Sequence, residues 1–370
     1  MRKNGHHPNG RQRWYCPECH VSDTTTYKSV VRREKELDEF VGWLTDTIPL
    51  RAYTSRPKTF MRHHGWCWDI HPLWNYTGQC YEQVIIDGKH LPYNWHVLIA
   101  RTPKHVLGYQ LAGSENTAAY CALLSRFPAP DIVITDGAKG SLKAIQTLWS
   151  TSHLQRCLVH IQRNILHVTT HKPRLIQHRI LKRLAHELLD ITTPAQALEW
   201  IGKLELFNHQ YKDWLEEKTY RSDIPIENIP LFARRNKKWW YTHTPTRSLV
   251  KALNKHVAQG TLFTFLDPSI TTSSPRVRDT NILEGDTNKA IDQLLNAHRG
   301  LSEPHMLSMI DWYLYNHSEN PKPPHTFLET PGTLLIPPKH PKRHQKPPKH
   351  INQQTPWEDG LRIHKGWIRN

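Results

Sequence analysis

The chain has 370 residues, with 49 Lys and Arg against 33 Asp and Glu, a formal net charge of +16, and 26 histidines. A single hydrophobic core stops growing at roughly 250–300 residues, so two or more domains are expected. The basic excess speaks for a polyanionic partner, either nucleic acid or an anionic membrane surface, and against a cytosolic enzyme of small neutral metabolites.

No run reaches the roughly 20 apolar residues of a membrane span. The first residues, MRKNGHHPNGRQRWYC, lack the apolar core of a secretory signal. Six cysteines are too sparse for a disulfide scaffold. An intracellular, reduced setting is expected, in which clustered cysteines read as metal ligands.

Residues 1–30 are polar and hold the C-x2-C pair Cys16 and Cys19 (WYCPECH), which looks like one knuckle of a zinc ribbon. His6, His7 or His20 are further candidate ligands, and two cysteines without metal are the alternative. Residues 31–75 read as short helices. Leu37, Phe40, Val41, Leu44 and Ile48 share one helical face, and Pro49 closes it. Ser55 is a candidate N-cap for a second helix with Pro57 in its first turn. Between them, Arg51, Arg56, Lys58 and Arg62 come with no acid. A helix pair with a basic second member points to a helix-turn-helix on DNA, against the plainer reading of a solvated basic helix.

From residue 80 the pattern changes. Gln83–Asp87, Asn94–Arg101 and His105–Ala112 read as strands joined by short turns, so they run antiparallel. Glu115–Phe127 reads as helix, Asp131–Asp136 as a buried strand, Lys139–Trp149 as helix, and His153–His160 as a fifth strand running into a helix. The order β-β-β-α-β-α-β predicts an α/β fold with a mixed five-stranded sheet of the ribonuclease H-like kind. A helical insertion is expected at about 165–275, carrying the aromatic stretch 232–248. The expected domain therefore spans 80–318, and 319–370 is expected to be a Pro-rich basic tail; within it 337–350 holds no acid.

Asp87 and Asp136 each close an apolar strand and precede a glycine. If their strands are neighbours, the two carboxylates converge and call for a hard divalent cation, Mg²⁺ or Mn²⁺. An Asp-Gly turn is the plainer alternative. Glu284 is a candidate third carboxylate, although Asn281 with Glu284 also fits a capping box. Cys157 and His160 form C-x2-H and cannot by themselves fill a tetrahedral zinc site, so a supporting role beside the carboxylates is expected. Arg163 follows on the same helix and is placed to reach a phosphate. Trp239 and Trp240 are candidates for stacking on a frayed base, with buried core as the alternative.

The segments VIIDGKHL, VITDGAKGSLKAI, QRCLVHIQRN and TNILEGDTNKAIDQLLNAHRGL resemble, in that order, the DDE transposases of bacterial insertion sequences, in the branch related to Mutator-like elements. QRWYCPECH and SRPKTFMRHHGWCWD resemble that family's zinc ribbon and helix-turn-helix. The family's ribbon has two Cys pairs and this chain shows one, as though it began inside the ribbon. The resemblance implies Asp87, Asp136 and Glu284 as the catalytic carboxylates holding two Mg²⁺, with a Zn²⁺ site at Cys16 and Cys19. It also implies cleavage and joining of double-stranded DNA at element ends and target, a homodimer or larger assembly on DNA, and a bacterial cytoplasmic, nucleoid-associated protein. Two other readings stay open: a catalytically decayed transposase acting as a DNA-binding repressor, and a ribonuclease H-like nuclease for other nucleic acids.

Overall fold

The computed structural model describes residues 2–6, 12–18, 20, 22–23, 27–230, 233 and 237–328, with backbone alone at 23 and 27–30. Cys19, His7 and the basic arm 337–350 lie outside the described residues. The described chain falls into two units. One comprises Met1–Thr77, Lys104–Gly108 and the stretch from Thr287; the other comprises Gly78–Pro103 and Tyr109–Asp286. No helix among the described residues is long and apolar enough to cross a membrane.

The first unit opens with a three-stranded antiparallel sheet of β1 (Arg2–His6), β2 (Gln12–Tyr15) and β3 (Ser22–Asp23). Three helices follow: α1 (Tyr27–Leu44), the single turn α2 (Leu50–Tyr53) and α3 (Pro57–His64). Leu37, Phe40, Val41 and Leu44 are buried, as their spacing requires. Ile48 departs from that expectation. The helix ends at Leu44, before Ile48 can join its apolar face, and Ile48 is 40 % exposed. The N-cap of α3 is Arg56 rather than Ser55, with Pro57 at the first helical position, where a missing N–H is no loss. Phe60 and His64 turn inward, stacked at 4.0 Å, while Arg51, Arg56, Lys58 and Arg62 are exposed.

The chain also stays packed past residue 319, in the first described residues of the Pro-rich basic tail. His325 lies 2.8 Å from an Asp38 carboxylate oxygen, and Phe327 is buried against Trp312 and Tyr315. An aromatic ring and an ion pair anchor these Pro-rich residues, which form a short 3-10 helix over Pro324–Phe327.

The second unit is built on β4 (Gln83–His90), β5 (His96–Arg101), the part of β6 (Val106–Ala112) from Tyr109 on, α4 (Thr117–Leu124), β7 (Ile132–Thr135), α5 (Lys139–Leu148), β8 (His153–Arg156) and α6 (Leu158–Thr169). The strand order is β6-β5-β4-β7-β8, with β4 antiparallel to β5 and parallel to β7, and β7 parallel to β8. A mixed five-stranded sheet with helices thus stands where the periodicity places it. Val84, Ile85, Ile86, Ile132, Val133 and Ile134 are all at most 1 % exposed, so β4 and β7 are covered on both faces. That is why these strands read as unbroken apolar runs rather than alternating ones.

Beyond α6 come α7 (Ile176–Asp190), α8 (Pro194–Gln210), α9 (Lys212–Glu216), a strand pair β9 (Lys218–Tyr220) and β10 (Trp239–Tyr241), and α10 (Thr244–Ala258). Thr193 and Gln196 close a capping box at the start of α8. Leu181, Leu184, Leu188, Trp200, Leu204, Phe207, Leu249 and Leu253 form one core with Leu158, Ile161 and Ile165 of α6. The two tryptophans separate: Trp240 is buried against Ile229 and Ala233, and Trp239 stays 39 % exposed under the Lys218 ammonium.

Candidate active site

Asp87 does not close its strand as expected but lies within β4, whose pairing with β5 continues to His90, and Asp136 directly follows β7. The register pairs Ile86 with Thr135, so the two aspartates are the next neighbours across these parallel strands. Adjacent strands are about 4.8 Å apart, which puts the two aspartates side by side on neighbouring inner strands, where β7 ends against β4. Asp87 is only 6 % exposed. Burial pushes its carboxyl well above the usual carboxylate range, and the negative charges of Asp136 and Glu284, then Glu115, push it further; a hydrogen bond from the Gly88 amide opposes them.

Asp136 is held by its own turn. Its Oδ1 accepts from the Ala138 amide at 2.9 Å and from the Thr135 hydroxyl at 3.2 Å. Gly137 turns the chain with φ +85°, a conformation that disfavours side chains, and any Cβ there would overlap the Arg156 guanidinium. Arg156 donates to the Asp136 carbonyl at 2.6 Å. The Asp-Gly turn and the carboxylate site are therefore one device: the turn aims the aspartate.

Glu284 lies in a π-helical stretch, Ile282–Asn288, a wide turn that recurs at functional sites. Its Oε2 meets Arg163 at 2.6 Å, and its Oε1 accepts from the Thr280 hydroxyl at 3.1 Å and lies 3.4 Å from His160 Nδ1. The Asn281 amide donates instead to Asp279 Oδ1 at 2.9 Å. The carboxylate thus faces α6, in hydrogen-bonding partnership with that helix and Thr280. Arg163, expected on a phosphate, here holds Glu284.

Cys157 sits between β8 and α6 with no exposure. Its Sγ accepts from the Thr280 amide at 3.3 Å and lies 3.3 Å from the Thr280 hydroxyl oxygen, and burial raises its thiol pKa. Its sulfur, a His160 ring nitrogen and a Glu284 oxygen all lie within 4.8 Å of one another.

Two residues near the carboxylates escape a reading by motif. Glu115, at the turn before α4, brings its carboxylate against Gly88, close enough that any Cβ on Gly88 would overlap it. Tyr120 on α4 is buried, and its hydroxyl pKa is raised well above normal by burial and by Glu115, Asp136 and Asp87. Neither belongs to a strand-closing pair, and only their position at the start of α4, next to the sheet edge, hinted at them. Cys16 follows β2 and is half-buried; with Cys19 undescribed, the expected zinc pair has no described geometry.

Residues 96–264 match the family model described as "Transposase, Mutator family". That range contains Asp136, Cys157, His160 and Arg163 and leaves Asp87 and Glu284 outside it. The chain is also 27 % identical over 205 residues to the transposase for insertion sequence element IS905 of Lactococcus lactis subsp. lactis (strain IL1403). The aligned part covers 51 % of this chain and 50 % of that protein, so the chain spans about half the length of the curated relative it matches. The resemblance to Mutator-type transposases of bacterial insertion sequences, first read from four short motifs, is thus met again in both comparisons, with residues 96–264 matching the Mutator-family model.

Proposed function

We propose that the chain is a DDE transposase that cuts DNA at the ends of its element and joins it to a target. The observation that carries this reading is the electrostatic grouping of Asp136, Glu284 and Glu115 around Asp87 on the inner strands of the sheet, with Asp87 buried. The donors are all carboxylate oxygens, and burying Asp87 ionised beside like charges is unfavourable without added positive charge. Such a donor set fits a hard divalent cation such as Mg²⁺ or Mn²⁺. Asp87, Asp136 and Glu284 would hold it. When bound, the metal supplies Lewis-acid polarisation of the phosphodiester and charge neutralisation.

The chain's own residues do the rest. Asp136 is aimed by the Gly137 turn. Glu284 is steadied by Thr280 and released or held by Arg163, whose side chain is 49 % exposed and able to turn toward a DNA phosphate. The exposed Arg51, Arg56, Lys58 and Arg62 bind the duplex, with α3 as the recognition helix of a helix-turn-helix. The 3′ hydroxyl freed by the first cut then attacks target DNA in the same site, which needs two ends held together and hence a dimer or larger assembly on DNA. A protein so engaged resides with the bacterial nucleoid.

Asp87→Asn tests the reading. Magnesium-dependent nicking of DNA carrying the element ends should fall below detection while affinity for the same DNA stays within about twofold, since the change adds no contact to the duplex. Full activity of the variant excludes the site. End binding by the unmodified protein without any metal-dependent nicking favours the decayed, repressor-like reading.

A further inference from the structure

We infer that Cys157, His160 and Glu284 form a binding site for one thiophilic divalent cation, zinc being the natural example. In the sequence, C-x2-H offers two ligands and falls short of a tetrahedral site. The fold supplies a third donor from the far π-helical stretch. Cys157 Sγ, a His160 ring nitrogen and a Glu284 oxygen lie within 4.8 Å of one another. His160 Nδ1 and Glu284 Oε1 are 3.4 Å apart. A tetrahedral ion with bonds of about 2.0–2.1 Å to nitrogen and oxygen sets such ligands about 3.4 Å apart.

The ligands are also held. Cys157 caps α6 and His160 is one turn later, so both point from the same helix face. Thr280 orients two of the three: its amide and hydroxyl reach Cys157 Sγ, and its hydroxyl reaches Glu284 Oε1. Arg163 takes the other oxygen, Oε2, so the guanidinium and the ion engage different atoms of the same carboxylate. The Glu284 and His160 side chains are 22 % and 11 % exposed, which leaves an approach for the ion and a fourth position for water. On binding, the Cys157 S–H bond breaks, the proton leaves to solvent, and a sulfur–metal bond forms without any change of oxidation state. The thiolate selects against Mg²⁺, which prefers oxygen, and for zinc-like ions.

One consequence rests on the transposase reading. Glu284 is shared, so an ion held by Cys157 and His160 draws it away from Asp87 and Asp136. Zinc then suppresses magnesium-supported nicking.

The test uses the full chain with Cys16 and Cys19 both changed to serine, so that the N-terminal pair contributes nothing. Titration with Co²⁺ should give a thiolate-to-cobalt charge-transfer band saturating at one equivalent and displaced by zinc. Cys157→Ser should remove the band, and His160→Asn and Glu284→Gln should each weaken binding. Thr280→Val should lower the affinity about tenfold. Asp87→Asn should leave the band in place. Thermal melts check that each variant is folded, and His160→Asn serves if Cys157→Ser is not. No band in the parent, or a band indifferent to Cys157→Ser and His160→Asn, overturns the site. A band without nicking in any protein sinks the transposase reading alone, and nicking without a band sinks the metal site alone.

Discussion

Gly137 shows how much of the candidate site depends on single atoms. It carries φ +85°, and the Arg156 guanidinium occupies the space a side chain would need. Gly137→Ala is therefore expected to destabilise the fold by about 1–3 kcal/mol through backbone strain and to displace Arg156 from the Asp136 carbonyl. A lowered melting temperature together with loss of nicking is the expected result; an unchanged melting temperature would refute the steric account. That Asp136 ends a strand was legible in the sequence from an apolar run followed by Asp-Gly, whereas the same pattern at Asp87 runs on inside β4 to His90, so the pattern alone does not decide where a strand stops. That Glu115 approaches Asp87 was not, because nothing in the residues around Glu115 encodes which strand's glycine it will cover. Arg163 shows the same gap: its charge and helix were plain, and its partner Glu284, far along the chain, was not.

At the scale of elements, α10 carries a titratable group with a stability consequence. His256, near its end, is 8 % exposed and faces the charges of Arg156 and Lys255. Burial first, then those two cations, lower its pKa to about 4. The unfolded chain takes up this proton near pH 6.5. The folded state stays unprotonated until about pH 4, so stability is full above pH 6.5 and falls as pH drops between the two values. The loss is of order 3 kcal/mol at most. Denaturant melts at about pH 7 and about pH 5 should show a smaller difference for His256→Gln than for the unmodified protein; equal differences would remove His256 as the cause. The strands and helices of the sheet were readable because both faces of β4 and β7 are covered and α5 and α6 are amphipathic. The end of α1 was less so. Ile48 continues the helical spacing, yet the helix stops at Leu44, and periodicity cannot tell a helix from the loop that follows it on the same phase.

The whole molecule carries a charge of +16, and much of it lies in segments with no acid, such as the α3 region and 337–350. Binding to duplex DNA should therefore weaken by roughly 10³–10⁵-fold between about 50 and 200 mM salt, if some 6–10 phosphates are contacted. Fluorescence anisotropy on end-containing DNA measures this, and removal of 337–350 should flatten the dependence. An affinity indifferent to salt would show that the basic surface does not engage the backbone.

Composition, apolar periodicity and short motifs determined the chain order of strands and helices, the mixed sheet and the family resemblance, because each is written in neighbouring residues. Tertiary structure alone decided that Glu284 turns to Arg163, Thr280 and His160, that Cys157 and His160 gain a third donor, and that residues 319–328 pack against the rest of their own unit. The contacts of Glu284 with Arg163 and His160, and of His325 with Asp38, join residues more than a hundred positions apart, and packing, not local pattern, brings them together.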